Sequence, residues 1–171
     1  MHIEKKIFDN IFKTIMNVTG KTKDNKKARM DLSLYCRRKD LELKSHPNGK
    51  KFKTNANCTL AVEQIKCVCQ WLEDLRMCNG YSSNLASCVD VNKGRVLGMK
   101  SHDCHVLMKC LLPMTFSLLP THVINPIIEV SHFCKDLCFT TLKEDALTRM
   151  EQKISIILCK LEKIFPLNFF F

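Results

Sequence analysis

A chain of 171 residues with 46% hydrophobic content is the size of one domain and can bury a core, which excludes global disorder. Its net charge of +10 is lopsided: residues 1–55 hold 15 Lys/Arg against 6 Asp/Glu, while residues 56–171 hold 12 against 11. Such a basic third is expected either to contact a phosphate backbone or to be a solvated, partly disordered linker.

Taken in chain order, Ile3, Ile7, Phe8, Ile11, Phe12, Ile15 and Met16 recur at three- and four-residue spacing, predicting an amphipathic helix over 3–18 that Gly20 ends. The basic stretch GKTKDNKKARMDL follows, without apolar period. Its "GKT" is not a phosphate loop, because position 15 is Ile where the motif needs Gly and the preceding segment reads as helix. KSHPNGKKFKTNAN, residues 44–57, reads as a linker with a turn at Pro47, Asn48 and Gly49. The exposed cations expected to meet nucleic acid are Lys21, Lys23, Lys26, Lys27, Arg29, Arg37, Arg38, Lys50, Lys51 and Lys53.

Val62, Ile65, Val68, Cys69, Leu72 and Leu75 form the stripe of a second helix from Thr59, closed by a turn at Asn79-Gly80. Val89 and Val91, a turn at Asn92-Lys93-Gly94, and Val96 predict the one small β-hairpin. Two further helices are expected over 125–139, with Asn125 as N-cap and Pro126 at its first position, and over 143–165, where Pro166 stops the cleanest stripe in the chain. The fold class is therefore mainly α, with one hairpin and a basic, partly disordered first third. No apolar stretch is long enough to span a bilayer, since LLPMTFSLLP is broken by Pro113 and Pro120. MHIEKKIFDN lacks the apolar core of a secretory signal, so the eleven cysteines are expected to be reduced and mostly buried in a soluble intracellular protein.

The densest chemistry lies in KSHDCHVLMKCLLP. Structural zinc needs two ligand pairs, and His102 with His105 supplies only one; Cys67 and Cys69 are too close, and Cys134 and Cys138 belong to a helix stripe. His102, Cys104 and His105 are thus weak metal candidates. Adjacent Cys104 and His105 diverge on a helix, and Ser101 with His105 lacks an orienting acid. The segment reads as a helix start: Ser101 as N-cap, Asp103 in the first turn, Val106, Leu107, Cys110 and Leu111 buried, and Pro113 at the end. In that first turn the helix dipole would lower the Cys104 thiol's pKa, a reactive thiol rather than a catalyst.

GMKSHDCHVLMKCLLP, FCKDLC and ILCKLEKIFP, preceded by WLEDLRMCNGYSSNLASCVDVNKGRVLGMKSHDCH, resemble successive signatures of the transposase-associated domain that follows the catalytic core of plant CACTA (En/Spm-type) transposases. MHIEKKIFDNIF is similar to the end of that core, with GKTKDNKKARMDL as connector. The resemblance implies three parts: 1–20 from the end of the core, 21–57 a basic linker, and 58–171 the associated domain, ending as FPLNFFF like a truncated copy whose Phe169, Phe170 and Phe171 would be exposed. It implies a nuclear protein and partners among DNA and transposase subunits. The family's strand cleavage uses three carboxylates around two metal ions. Glu4 is the single acid near that motif, so a noncatalytic fragment is expected, with no cofactor or small-molecule ligand. The alternatives are a protein–protein interaction module, in which helices 59–76 and 143–165 dock on a partner, and a decayed element product without a selected function.

Overall fold

The computed structural model describes residues 2–77, 84–138 and 144–166; the expected turn at Asn79-Gly80 and the terminal phenylalanines lie outside them. The chain is mainly helical. Helix α1 spans His2–Ile15, α2 Lys26–Tyr35, α3 Val62–Asp74, α4 Ser101–Val106, α5 Leu112–Thr115, α6 Thr121–Leu137 and α7 Glu144–Glu162. Two antiparallel hairpins complete it: β1 (Leu43–Ser45) with β2 (Lys51–Lys53), and β3 (Val89–Asp90) with β4 (Arg95–Val96). Among the described residues no helix is long and apolar enough to cross a membrane.

Among the described residues, one apolar cluster draws on all three of the expected parts. Phe8, Ile11, Phe12, Ile15 and Met16 of the first segment join Leu32, Leu41, Leu72, Leu112, Phe116, Ile127, Ile157 and Phe165. Residues 1–20 and 21–57 therefore share the core of 58–166 rather than standing apart from it. Helix α1 ends at Ile15, three residues before the expected end at 18. Asn17 takes a positive φ of 47°, Val18 N–H reaches the Lys13 carbonyl at 2.9 Å, and Asn17 N–H reaches Thr14 at 3.1 Å. This paired cap satisfies carbonyls that the helix end would leave open.

The stretch expected as linker is structured. Asn25 caps α2 by accepting from Ala28 N–H, and β1 pairs with β2 in the register Leu43↔Lys53 and Ser45↔Lys51. The Pro47-Asn48-Gly49 turn is there, but it joins strands: Gly49, at φ 76°, donates to the His46 carbonyl at 2.9 Å. Apolar periodicity could not signal this region, because an ion pair organises it. Asp24 and Arg29 are buried together, with Arg29 Nε to Oδ1 at 2.6 Å and Nη2 to Oδ2 at 2.7 Å. The guanidinium also donates to the Thr54 carbonyl, and Lys53 Nζ donates to the Asp24 carbonyl and to Asn17. The hairpin is thereby tied to both α1 and α2.

The expected hairpin at 89–96 forms, with Val89 opposite Val96 and the Gly94 N–H bonded to Val91. Gly94 has φ 58°, and a Cβ there would lie 3.1 Å from Ile65 Cγ2. Glycine is needed both for the turn and for this approach to α3.

Two prolines behave differently from their sequence reading. Pro113 does not end its helix. Residues Leu107–Leu111 form a wider π turn, with Leu112 N–H on the Leu107 carbonyl, and α5 carries Pro113 at its second position. The wider turn accommodates a residue that cannot donate to the preceding turn. The carbonyls it shifts are met from α6, where the buried Ser131 hydroxyl donates to Met108 at 2.7 Å. The same turn rotates the face of the helix, so Cys110 is exposed rather than in the stripe. Pro126 lies inside α6, not at its start, and Pro120 rather than Asn125 precedes the first turn. An interior proline costs about 3 kcal/mol. Starting the helix at Thr121 buries Val123 and Ile124, each worth about 1.5–3 kcal/mol, which offsets that cost.

Candidate functional site

The basic surface is rearranged relative to the sequence expectation. Three of the ten proposed cations are committed to the fold. Arg29 is buried against Asp24, and Lys53 bridges Asp24 and Asn17. Arg38 closes the end of α7, donating to the carbonyls of Glu162, Ile164 and Phe165 at 3.2, 2.9 and 3.1 Å while pairing with Asp40. Three of the four bonds from this guanidinium reach carbonyls at the end of α7 and just beyond it, where positive charge is favoured. Lys21, Lys26, Lys27, Arg37, Lys50 and Lys51 are exposed, and Lys23 is half-buried. Arg37 and Lys51 line one cleft of about 250 Å³ together with Glu42.

Lys21 stands where two larger clefts adjoin. One, of about 510 Å³, is lined by Lys5, Lys6, Lys13, Lys21 and a single carboxylate, Asp9, which already pairs with Lys13 at 2.8 Å. The other, of about 540 Å³, is lined by Lys21, Lys66, Lys93 and Arg95 with no carboxylate. Six of these seven cations were missed from the sequence. Lys6 and Lys13 were legible, since they fall seven apart on the polar side of α1. Lys66, Lys93 and Arg95 were not, because they lie in the nearly neutral part of the chain and only the packing of α3 beside the β3–β4 turn gathers them.

The metal candidates divide. Lys100, not Ser101, is the N-cap of α4: Asp103 accepts its N–H at 2.7 Å, while the exposed Ser101 hydroxyl accepts from Lys5. Cys104 is buried, and burial first, then the charge of Asp9, pushes its thiol up to about 11, the opposite of the activation expected from the dipole. His102 is exposed. His105 alone of the three joins a cluster, one not visible in the sequence. Its Nδ1 lies 3.1 Å from Glu4 Oε2 and its Nε2 4.0 Å from Cys138 Sγ, which in turn donates to Glu4 Oε1 at 3.5 Å. Cys134 keeps its place in the buried stripe, whereas Cys138, just past α6, is exposed and turned toward α1.

Comparison with protein-family models, curated proteins and solved structures finds no match. Function therefore rests on the chemistry of these two surfaces.

The buried thiols give a test of the core. Burial raises Cys58, Cys69 and Cys104 to about 11 and Cys134 to about 12, from an ordinary 9.0. A folded-state pKa above the unfolded one leaves stability intact below pH 9 and removes it as pH climbs toward 11–12. Each thiol should cost about 1.4 kcal/mol per pH unit in that window. Urea midpoints of the reduced protein should fall between pH 9 and 10.5; an unchanged midpoint would contradict burial of these thiols.

Proposed function

We propose that this chain is a noncatalytic accessory module of a transposon-derived transposase that contacts the DNA backbone in the nucleus, beside transposase subunits. The observation that carries the DNA contact is the pair of adjoining clefts joined at Lys21, with seven cations and one carboxylate that is already paired. Lysine and arginine on such a surface bind phosphates by releasing condensed counterions, a contact that is independent of base sequence. The noncatalytic part of the reading is supported by Glu4. The acid that the family resemblance places near the core's catalytic motif is occupied by His105 and Cys138. Two-metal strand cleavage needs several carboxylates around the ions.

Anisotropy of a labelled duplex, titrated with the full chain over a salt series, tests this. With about six phosphate contacts, log K should fall against log salt with a slope near −5. Replacing Lys21, Lys66 and Arg95 together by alanine should reduce that slope by about 3, and two unrelated duplexes should bind alike. Absence of binding at low salt would sink the reading. It would leave the alternative, a protein–protein interaction module, which is favoured by the apolar face of α2, where Met30, Leu34 and Tyr35 are 51%, 79% and 80% exposed.

A further inference from the structure

Glu4 in the first turn of α1, His105 on α4 and Cys138 just beyond α6 bring a carboxylate, an imidazole and a thiol to one point. They come from positions up to 134 residues apart, and their donor atoms lie within 4.8 Å of one another. The three touch one another: the imidazole presents Nδ1 to Glu4 and Nε2 to Cys138, and the thiol also reaches Glu4 directly. Metal–sulfur bonds near 2.3 Å and metal–nitrogen or –oxygen bonds near 2.0 Å put neighbouring tetrahedral ligand atoms about 3.3–3.7 Å apart. With one donor atom taken from each residue, the three separations are at most 4.8 Å, about 1 Å above that range, so side-chain rotations that turn a single ring nitrogen toward both partners close the set on an ion.

We propose that Glu4, His105 and Cys138 bind one zinc-type divalent cation, with the fourth coordination position open to water. The donor set decides the class of ion. Thiolate and imidazole suit zinc and its transition-metal neighbours, whereas magnesium and calcium take oxygen ligands. Charge decides between a metal and a Cys–His–Glu nucleophile. With Glu4 and Cys138 both ionised, two negative charges would face each other across 3.5 Å, and a divalent cation between them neutralises both. On binding, the Cys138 S–H bond breaks, its electron pair passes to the metal–sulfur bond and the proton leaves to buffer; nothing is oxidised or reduced. The openness of the site follows from burial: Cys138 is exposed, and the His105 and Glu4 side chains are 27% and 18% exposed. The bound ion would staple the start of α1 to α4 and to the end of α6.

The test uses the full reduced chain stripped of metal, titrated with zinc against a chromophoric chelator and with cobalt(II) as a spectroscopic substitute. One equivalent should bind, and cobalt should give a thiolate charge-transfer band. Cys138→Ser should abolish the band. Cys138→Ser, Glu4→Gln and His105→Gln should each weaken zinc at least about tenfold. Cys159→Ser, at another exposed thiol, should change neither. In the wild-type chain, zinc should slow alkylation of Cys138 but not of Cys36 or Cys159, a readout that needs no variant to fold. No binding at micromolar zinc, a band that survives Cys138→Ser, or equal protection of all three thiols would overturn the site. None of these outcomes depends on whether the chain binds DNA.

Discussion

Replacing Arg29 with methionine should destabilise the protein by about 3–5 kcal/mol, as a steeply lowered urea midpoint with little change in slope. Its side chain and that of Asp24 are 0% and 1% exposed, so solvent screening does not weaken the pair. The substitution removes both bonds of the fork and the bond to Thr54, and leaves Asp24 to Lys53 alone. A domain is held by about 5–15 kcal/mol in all, so this one change takes a large share. Replacing Asp24 by leucine as well should recover part of the loss, because removing both charges also removes the unpaired one. A double variant that is no more stable than Arg29→Met would mean that the hydrogen bonds to Thr54 and Lys53, and not the uncompensated charge, dominate.

Phe12→Ala should cost a further class of energy, about 3–5 kcal/mol from lost apolar burial and the cavity left behind. Phe12 is 3% exposed and connects two rings: Phe8, stacked at 5.3 Å, and Phe116, tilted at 5.6 Å. Through it α1 holds the turn that follows α5. A double-mutant cycle with Phe116→Leu should show coupling of about 0.5–1.5 kcal/mol, measured by denaturant unfolding. Strict additivity would show that the two rings contribute only by area.

Helices α1, α3, α6 and α7 were legible because each sets apolar residues at helical spacing, and that pattern is local. The β3–β4 hairpin was legible from its Gly94 turn. Helix α2 and the first hairpin were not, since their anchor is an ion pair between Asp24 and Arg29, plus Lys53 far along the chain. The prolines misled for a related reason. Local rules end a helix at Pro113 and begin one at Pro126, but a π turn supported by Ser131 and the burial of Val123 and Ile124 outweigh them. At the candidate sites, composition revealed that the chain is basic without revealing which cations are free. Arg29 and Arg38 sit in the most basic stretch and are spent inside the molecule, while Lys66 and Arg95 come from a stretch that reads as neutral. The meeting of Glu4, His105 and Cys138 left no trace in spacing, because each residue lies in a different segment.

The grip of Arg38 on the carbonyls at 162, 164 and 165 has a bearing on how the polypeptide is made. A ribosome adding about 5–20 residues per second delivers that acceptor group many seconds after the guanidinium has emerged. Throughout that interval the early third lacks its clasp, with the hydrophobic side of the first helix waiting for partners that have yet to be translated. The early third therefore gains its last contacts only once residues 162–165 have been made, and until then its uncovered apolar surface is a target for a chaperone.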